Sequence, residues 1–104
     1  MDDIYCVEIG YGVKHFFTYD KTYENLDVYD PSNYWVEEIY VSVHPYFNKL
    51  SALDCFNKYK NQLGYRGFIY LKRYDDENDV EIIKEKKGKY LSLKKTKSGD
   101  YDEI

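Results

Sequence analysis

Residues 51–64, SALDCFNKYKNQLG, decide the fold class. Ser51 with Asp54 three positions on has the form of a capping box, in which a short polar side chain takes a free backbone N–H of the first helical turn. Leu50, Leu53, Phe56, Tyr59 and Leu63 recur at intervals of three and four, so a helix from Ser51 to Leu63 has one apolar face. Gly64 stands where a left-handed C-terminal cap belongs. At roughly 1.5 Å per residue such a helix is about 20 Å long, enough to cover several strands of one sheet. It is the one segment that reads convincingly as helix.

Outward from the helix, the pattern changes to alternation by two. Val36 to His44 places Ile39, Val41 and Val43 against Tyr40, Ser42 and His44, and Pro45 closes that strand. On the other side, Tyr65 to Tyr74 is rich in aromatic and branched residues, and Asp75-Asp76-Glu77-Asn78-Asp79 is a polar turn. Val80 to Lys86 and Lys89 to Lys95 then flank Lys87-Gly88 as a final hairpin. Near the start, Tyr5, Val7, Ile9, Tyr11 and Val13 alternate with Glu8, Gly10, Gly12 and Lys14, the sign of a strand with one wet face. Gly10 and Gly12 suit either a tight turn or a bulge in one long bent strand. The turn is preferred, giving a hairpin of Ile4 to Ile9 against Val13 to Tyr19. Between it and the next strand, Asp20 to Trp35 is the longest irregular stretch, with Asp30-Pro31-Ser32-Asn33 a strong turn signal.

The expected fold is therefore α+β: an antiparallel sheet of five to six strands, in the order β-β-β-α-β-β-β, with one helix packed on one face. The 104 residues suit one domain, with a C-terminal tail that frays from about Thr96. The acidic start and the lack of any long apolar run point to a cytoplasmic protein that does not enter a membrane. Cys6 and Cys55 have neither metal-type spacing nor disulfide-scaffold density and are expected to be reduced and buried.

Charge is segregated along the chain. The formal total is −4, yet residues 84–97 hold seven lysines against a single acid, while acids predominate before them. Motifs for metal binding, nucleophilic catalysis or phosphate cradling are absent, so no cofactor, metal or catalytic residue is expected. His15 and His44 are read as strand histidines that are surface-exposed or hydrogen-bonded locally. Arg66-Gly67-Phe68-Ile69-Tyr70-Leu71 partly resembles the aromatic strand motif of RNA-recognition domains, whose exposed rings stack on bases. It departs from that motif at Ile69, where a small residue belongs, and in following the helix directly.

Fourteen tyrosines are the outstanding feature of composition. Tyrosine gives rigid contact area with a polar tip, which enriches it at binding surfaces, although AT-rich coding would raise it too. The expectation is a non-catalytic, acidic, tyrosine-rich binding protein that inhibits or neutralises a protein partner, such as a basic nuclease or toxin. In composition it is similar to toxin-immunity proteins and phage-encoded anti-defence inhibitors. The contact residues expected are Tyr23, Asp27, Tyr29, Asp30, Tyr34 and Trp35, with Asp75, Asp76 and Glu77 as a second patch. The alternative is a nucleic-acid-binding ribbon of Lys84, Lys86, Lys87, Lys89, Tyr90, Lys94 and Lys95.

Overall fold

The computed structural model describes residues 3–17, 26–77, 79–95 and 101–103. Four antiparallel strands form the main sheet: β1 (Ile4–Phe16), β2 (Tyr34–Tyr46), β3 (Gly67–Tyr74) and β4 (Val80–Lys87), in the spatial order β2-β1-β3-β4. Helix α1 (Lys49–Tyr59) joins β2 to β3, followed by a 3-10 turn at Lys60–Gln62. After β4 come a one-turn helix α2 (Lys89–Ser92) and a two-stranded pair, β5 (Leu93–Lys95) with β6 (Tyr101–Glu103). The α+β class and the single main helix are as expected. The main sheet has four strands where five to six were expected.

The strand count differs because the glycines that suggest hairpin turns, at 10–12 and at 88, do not turn the chain into hairpins. Gly10 and Gly12 lie inside one continuous β1, and Ile9 pairs with Ser42 while Gly10 pairs with Tyr40, so Val41 is the extra residue of a bulge on β2. Gly10 is needed for closeness. A Cβ there would lie 2.0 Å from the Ile39 carbonyl oxygen and 2.7 Å from the Phe68 ring. At the other end, Gly88 does not turn a hairpin of Val80–Lys86 with Lys89–Lys95. Its N–H donates to the Gly67 carbonyl and the chain enters α2, while Leu93–Lys95 pairs with Tyr101–Glu103.

Helix α1 begins two residues before the expected start, because Asn48, and not Ser51, is the cap: its Oδ1 accepts from the N–H of Leu50 at 2.8 Å and of Ser51 at 3.4 Å. Its buried face is Ala52, Cys55 and Phe56, with Leu53 and Tyr59 at the margin, whereas Leu50 points to solvent. These side chains cover Val7, Ile69 and Leu71, all fully buried, and each large side chain so buried contributes about 1.5–3 kcal/mol. Gly64 is not in the left-handed region, and a Cβ on it would meet nothing within 4 Å.

The two halves of β1 are covered on opposite faces. Tyr5, Val7 and Ile9 face α1. In the Gly12–Phe16 half the cover lies on the other face: Leu91 of α2 sits against Gly12, and Lys14 is surrounded by tyrosines of the 26–34 segment and α2. The opposite-face surface of the Ile4–Glu8 half has no covering element among the described residues.

Substituting the two glycines separates close approach from turn geometry. Gly10→Ala is expected to cost about 1–3 kcal/mol through overpacking, and Gly64→Ala to be neutral or stabilising by about 0.4–1 kcal/mol, both read from urea unfolding midpoints.

Candidate functional site

The uncovered face of the Ile4–Glu8 half is built from alternate residues of four strands. Cross-strand partners share a face, so Ile4 with Tyr74, Cys6 with Pro45 and Lys72, Glu8 with Val43 and Tyr70, and Lys72 with Ile82 all point to this side. A groove of about 870 Å³ opens there, lined by Ile4, Cys6, Val43, Pro45 and Phe47 with Glu8, Tyr40, Tyr74, Asp75 and Asp76. Large apolar side chains around it are left in solvent: Val43 is 52% exposed, Val80 51% and Ile82 53%.

Between these edge-strand side chains, on β1 and β3, lies a polar network. Glu8 is only 6% exposed, although the alternation put it on a wet face. A buried carboxylate persists only when it is paired and hydrogen-bonded. Lys72 Nζ sits 2.9 Å from one Glu8 oxygen, and the Tyr74 hydroxyl donates to the other. Lys72 also donates to the Tyr40 hydroxyl at 3.4 Å and lies 5.2 and 5.0 Å from the ring centroids of Tyr40 and Tyr70. The Tyr70 hydroxyl donates to Glu38. Burial and then the bond to Glu8 push the Tyr74 hydroxyl up to about 12. Burial and then Glu38 raise Tyr70 likewise. Burial is the largest single influence on Lys72 and works against its charge, but the bond and charge of Glu8 together with Tyr40 outweigh it and raise the pKa. Burial, then the charge of Glu8, pushes the Cys6 thiol up, away from thiolate reactivity.

The expected contact residues fall in two places. Asp75, Asp76 and Glu77 lie in the β3–β4 turn, the first two lining the groove. Asp27, Tyr29, Asp30, Tyr34 and Trp35 lie at the far end of β1, about 40 Å away at the usual rise per strand residue. Tyr23 lies outside the described residues. In the far group the acids build the local backbone: Asp27 accepts from Tyr29 N–H, and Asp30 from the N–H and hydroxyl of Ser32, capping a 3-10 turn at Pro31–Asn33. Tyr34, Tyr90 and Tyr29 turn their rings to Lys14, whose Nζ lies 4.2, 4.7 and 5.7 Å from their centroids. Burial lowers the Lys14 pKa. Trp35 is exposed and stacks on His15 at 4.3 Å.

The lysines of the alternative reading are dispersed. Lys84, Lys86 and Lys87 belong to the edge strand β4, where lysine also discourages edge-to-edge pairing. Lys89 and Tyr90 are in α2, and the side chains of Lys94 and Lys95 lie outside the described part. Tyr90 already carries Lys14 and Arg66 over its ring, each at 4.7 Å. Phe68 and Tyr70 of the segment resembling an RNA-binding strand are 0% and 4% exposed, so neither ring offers a stacking surface.

His15 Nε2 is 3.1 Å from Glu37 Oε1, while His44 stacks on Tyr59 opposite Val7, about 26 Å along the sheet. A smaller cleft of about 340 Å³ brings His44 near Ser51, Asp54 and Cys55, and among the described residues no hydrogen bond joins the histidine to any of the three. Among the described residues no group of His, Cys, Asp and Glu is placed to hold a metal ion, and no helix is long and apolar enough to cross a membrane. Compared with known proteins, the chain matches no family model, no curated protein and no solved structure.

Glu8→Ala leaves the Lys72 ammonium without its carboxylate and is expected to cost about 3 kcal/mol, with Glu8→Ala/Lys72→Met recovering much of it by double-mutant cycle. Alkaline titration gives an independent reading of the same network. Tyr74 is raised from 10.0 to about 12, so its contribution to stability is complete below pH 10 and is lost as pH rises through 12. The urea midpoint of the wild type should fall over that range more steeply than that of Tyr74→Phe.

Proposed function

We propose that this chain is a non-catalytic binding protein that docks a protein partner through the uncovered sheet face beside Glu8 and thereby inhibits or neutralises it. The observation that carries this reading is the half-exposed apolar set of Val43, Val80 and Ile82 standing on either side of a fully partnered polar floor. Apolar side chains left in solvent on one sheet face mark an interaction surface, and here Val43 on one edge strand and Val80 and Ile82 on the other flank the partnered polar centre. The network of Glu8, Lys72, Tyr40 and Tyr74 holds that face in one shape before a partner arrives, which lowers the ordering cost of association. Asp75 and Asp76 from the expected acidic patch border the same face, so the partner supported best is a basic protein. The Tyr29–Trp35 group contributes less contact surface, because its acids and two of its rings serve the fold.

The test is an affinity capture with tagged protein from its native host lysate, treated with nuclease and washed at low and high salt. Wild type should retain one stoichiometric protein, and Val43→Asp/Ile82→Asp, with helix and sheet content unchanged by circular dichroism, should lose it by at least about tenfold in affinity, or 1.4 kcal/mol. Recovery of nucleic acid that washes off with salt and is lost in Lys84→Glu/Lys86→Glu/Lys87→Glu would replace this reading with the lysine-based one.

A further inference from the structure

We propose that the groove beside Glu8 binds a flat, neutral, apolar small molecule through one oxygen acceptor, which takes a hydrogen bond from the Tyr40 hydroxyl. The space there, about 870 Å³, falls within the roughly 300–1,000 Å³ of sites that enclose an organic ligand. Its walls suit a ring system, since Tyr40, Phe47 and Tyr74 line it together with Ile4, Val43 and Pro45. Phe47 and Tyr40 are both exposed, so their surfaces are open to a ligand.

The polar contact follows from the donors and acceptors already in use. One Glu8 oxygen is taken by Lys72 Nζ at 2.9 Å and the other by the Tyr74 hydroxyl, whose proton is thereby committed. Asp75 Oδ1 accepts from the N–H of Glu77 at 3.0 Å and of Asp79 at 2.9 Å, and Asp76 has a partner of its own. Tyr40 differs. Its oxygen accepts from Lys72 at 3.4 Å, and an ammonium has no lone pair to accept in return, so the hydroxyl proton points elsewhere. Among the described residues nothing accepts that proton, and the neighbouring ammonium draws charge from the phenol oxygen and strengthens the O–H as a donor. The ligand is neutral for two reasons. An anion would face the carboxylates of Glu8, Asp75 and Asp76 on the wall, with Lys72 already balanced by Glu8, and a cation would find those carboxylates engaged. A carbonyl oxygen on an apolar body meets neither obstacle.

The probes are pyrene, acetylpyrene and pyrenecarboxylate, each kept dilute while protein is added and followed by fluorescence anisotropy. They share one flat apolar body and differ in the acceptor they carry. Acetylpyrene should bind about fivefold more tightly than pyrene, the effect of a single hydrogen bond, and pyrenecarboxylate more weakly than the ketone. Tyr40→Phe keeps the ring and leaves Lys72 its bond to Glu8, so it should bring acetylpyrene down to the affinity of pyrene without changing pyrene itself. Val43→Asp, with circular dichroism unchanged, should weaken all three. Equal affinity of ketone and pyrene for the wild type, a preference for the ketone that survives Tyr40→Phe, tightest binding by the carboxylate, or affinities untouched by Val43→Asp would each overturn the proposal. No protein partner enters this assay, so its outcome bears on the groove alone, while the capture experiment tests the docking of a partner.

Discussion

At Gly10 two backbones and a ring come together in a space that admits no side chain. The Ile39 carbonyl of β2 and the Phe68 ring of β3 both press on the position where a Cβ would stand. Because β1 is paired on both sides, this contact sets how β2 and β3 lie against it. The bulge at Val41 sits directly opposite and lets β2 change register, so that the residues before and after it keep their proper faces. The groove on one face and the α1 core on the other both follow from that register.

The same sheet then solves two different burial problems. On the α1 side it buries apolar groups alone, Val7, Ile69 and Leu71 against Ala52, Cys55 and Phe56. On the other side it buries a carboxylate and supplies each of its oxygens with a donor. Such a network specifies geometry more sharply than apolar packing, because a shift of the strands would break charge-assisted bonds. A floor of that kind is well suited to carry exposed Val43 and Ile82 without letting the surface collapse onto them.

Much of the fold was legible in the sequence because it rests on local periodicity: the helix, β3 and β4 all declare themselves in three-to-four or two-residue repeats. The failures share a cause. Glycine reads alike whether the chain turns or a neighbour approaches closely, and the neighbours at Gly10 come from residues 39 and 68, beyond any local window. Glu8 reads as solvated for the same reason, since only the pairing of β1 with β3 brings Lys72 diagonal to it and Tyr74 within reach. Of the candidate site, Asp75 and Asp76 were visible as an acidic turn, while Ile4, Val43 and Phe47 were not, being scattered in sequence and joined only by register. The tyrosines of the 26–34 segment were recognised as aromatic contact groups, but the lysine they contact, Lys14, is in the same chain.

The bulge at Val41 has one more effect, on how the molecule behaves in a crowd. β2 is thirteen residues long and lies at the edge of the sheet, a row of backbone donors and acceptors beside exposed valines. A straight strand of that description is a template onto which other extended chains can zip. With an extra residue near its middle and Pro45, which has no N–H to donate, near its end, the row is interrupted and pairing along its whole length is disfavoured. The irregularity that sets the register of the open face thus also disfavours edge-to-edge pairing along β2.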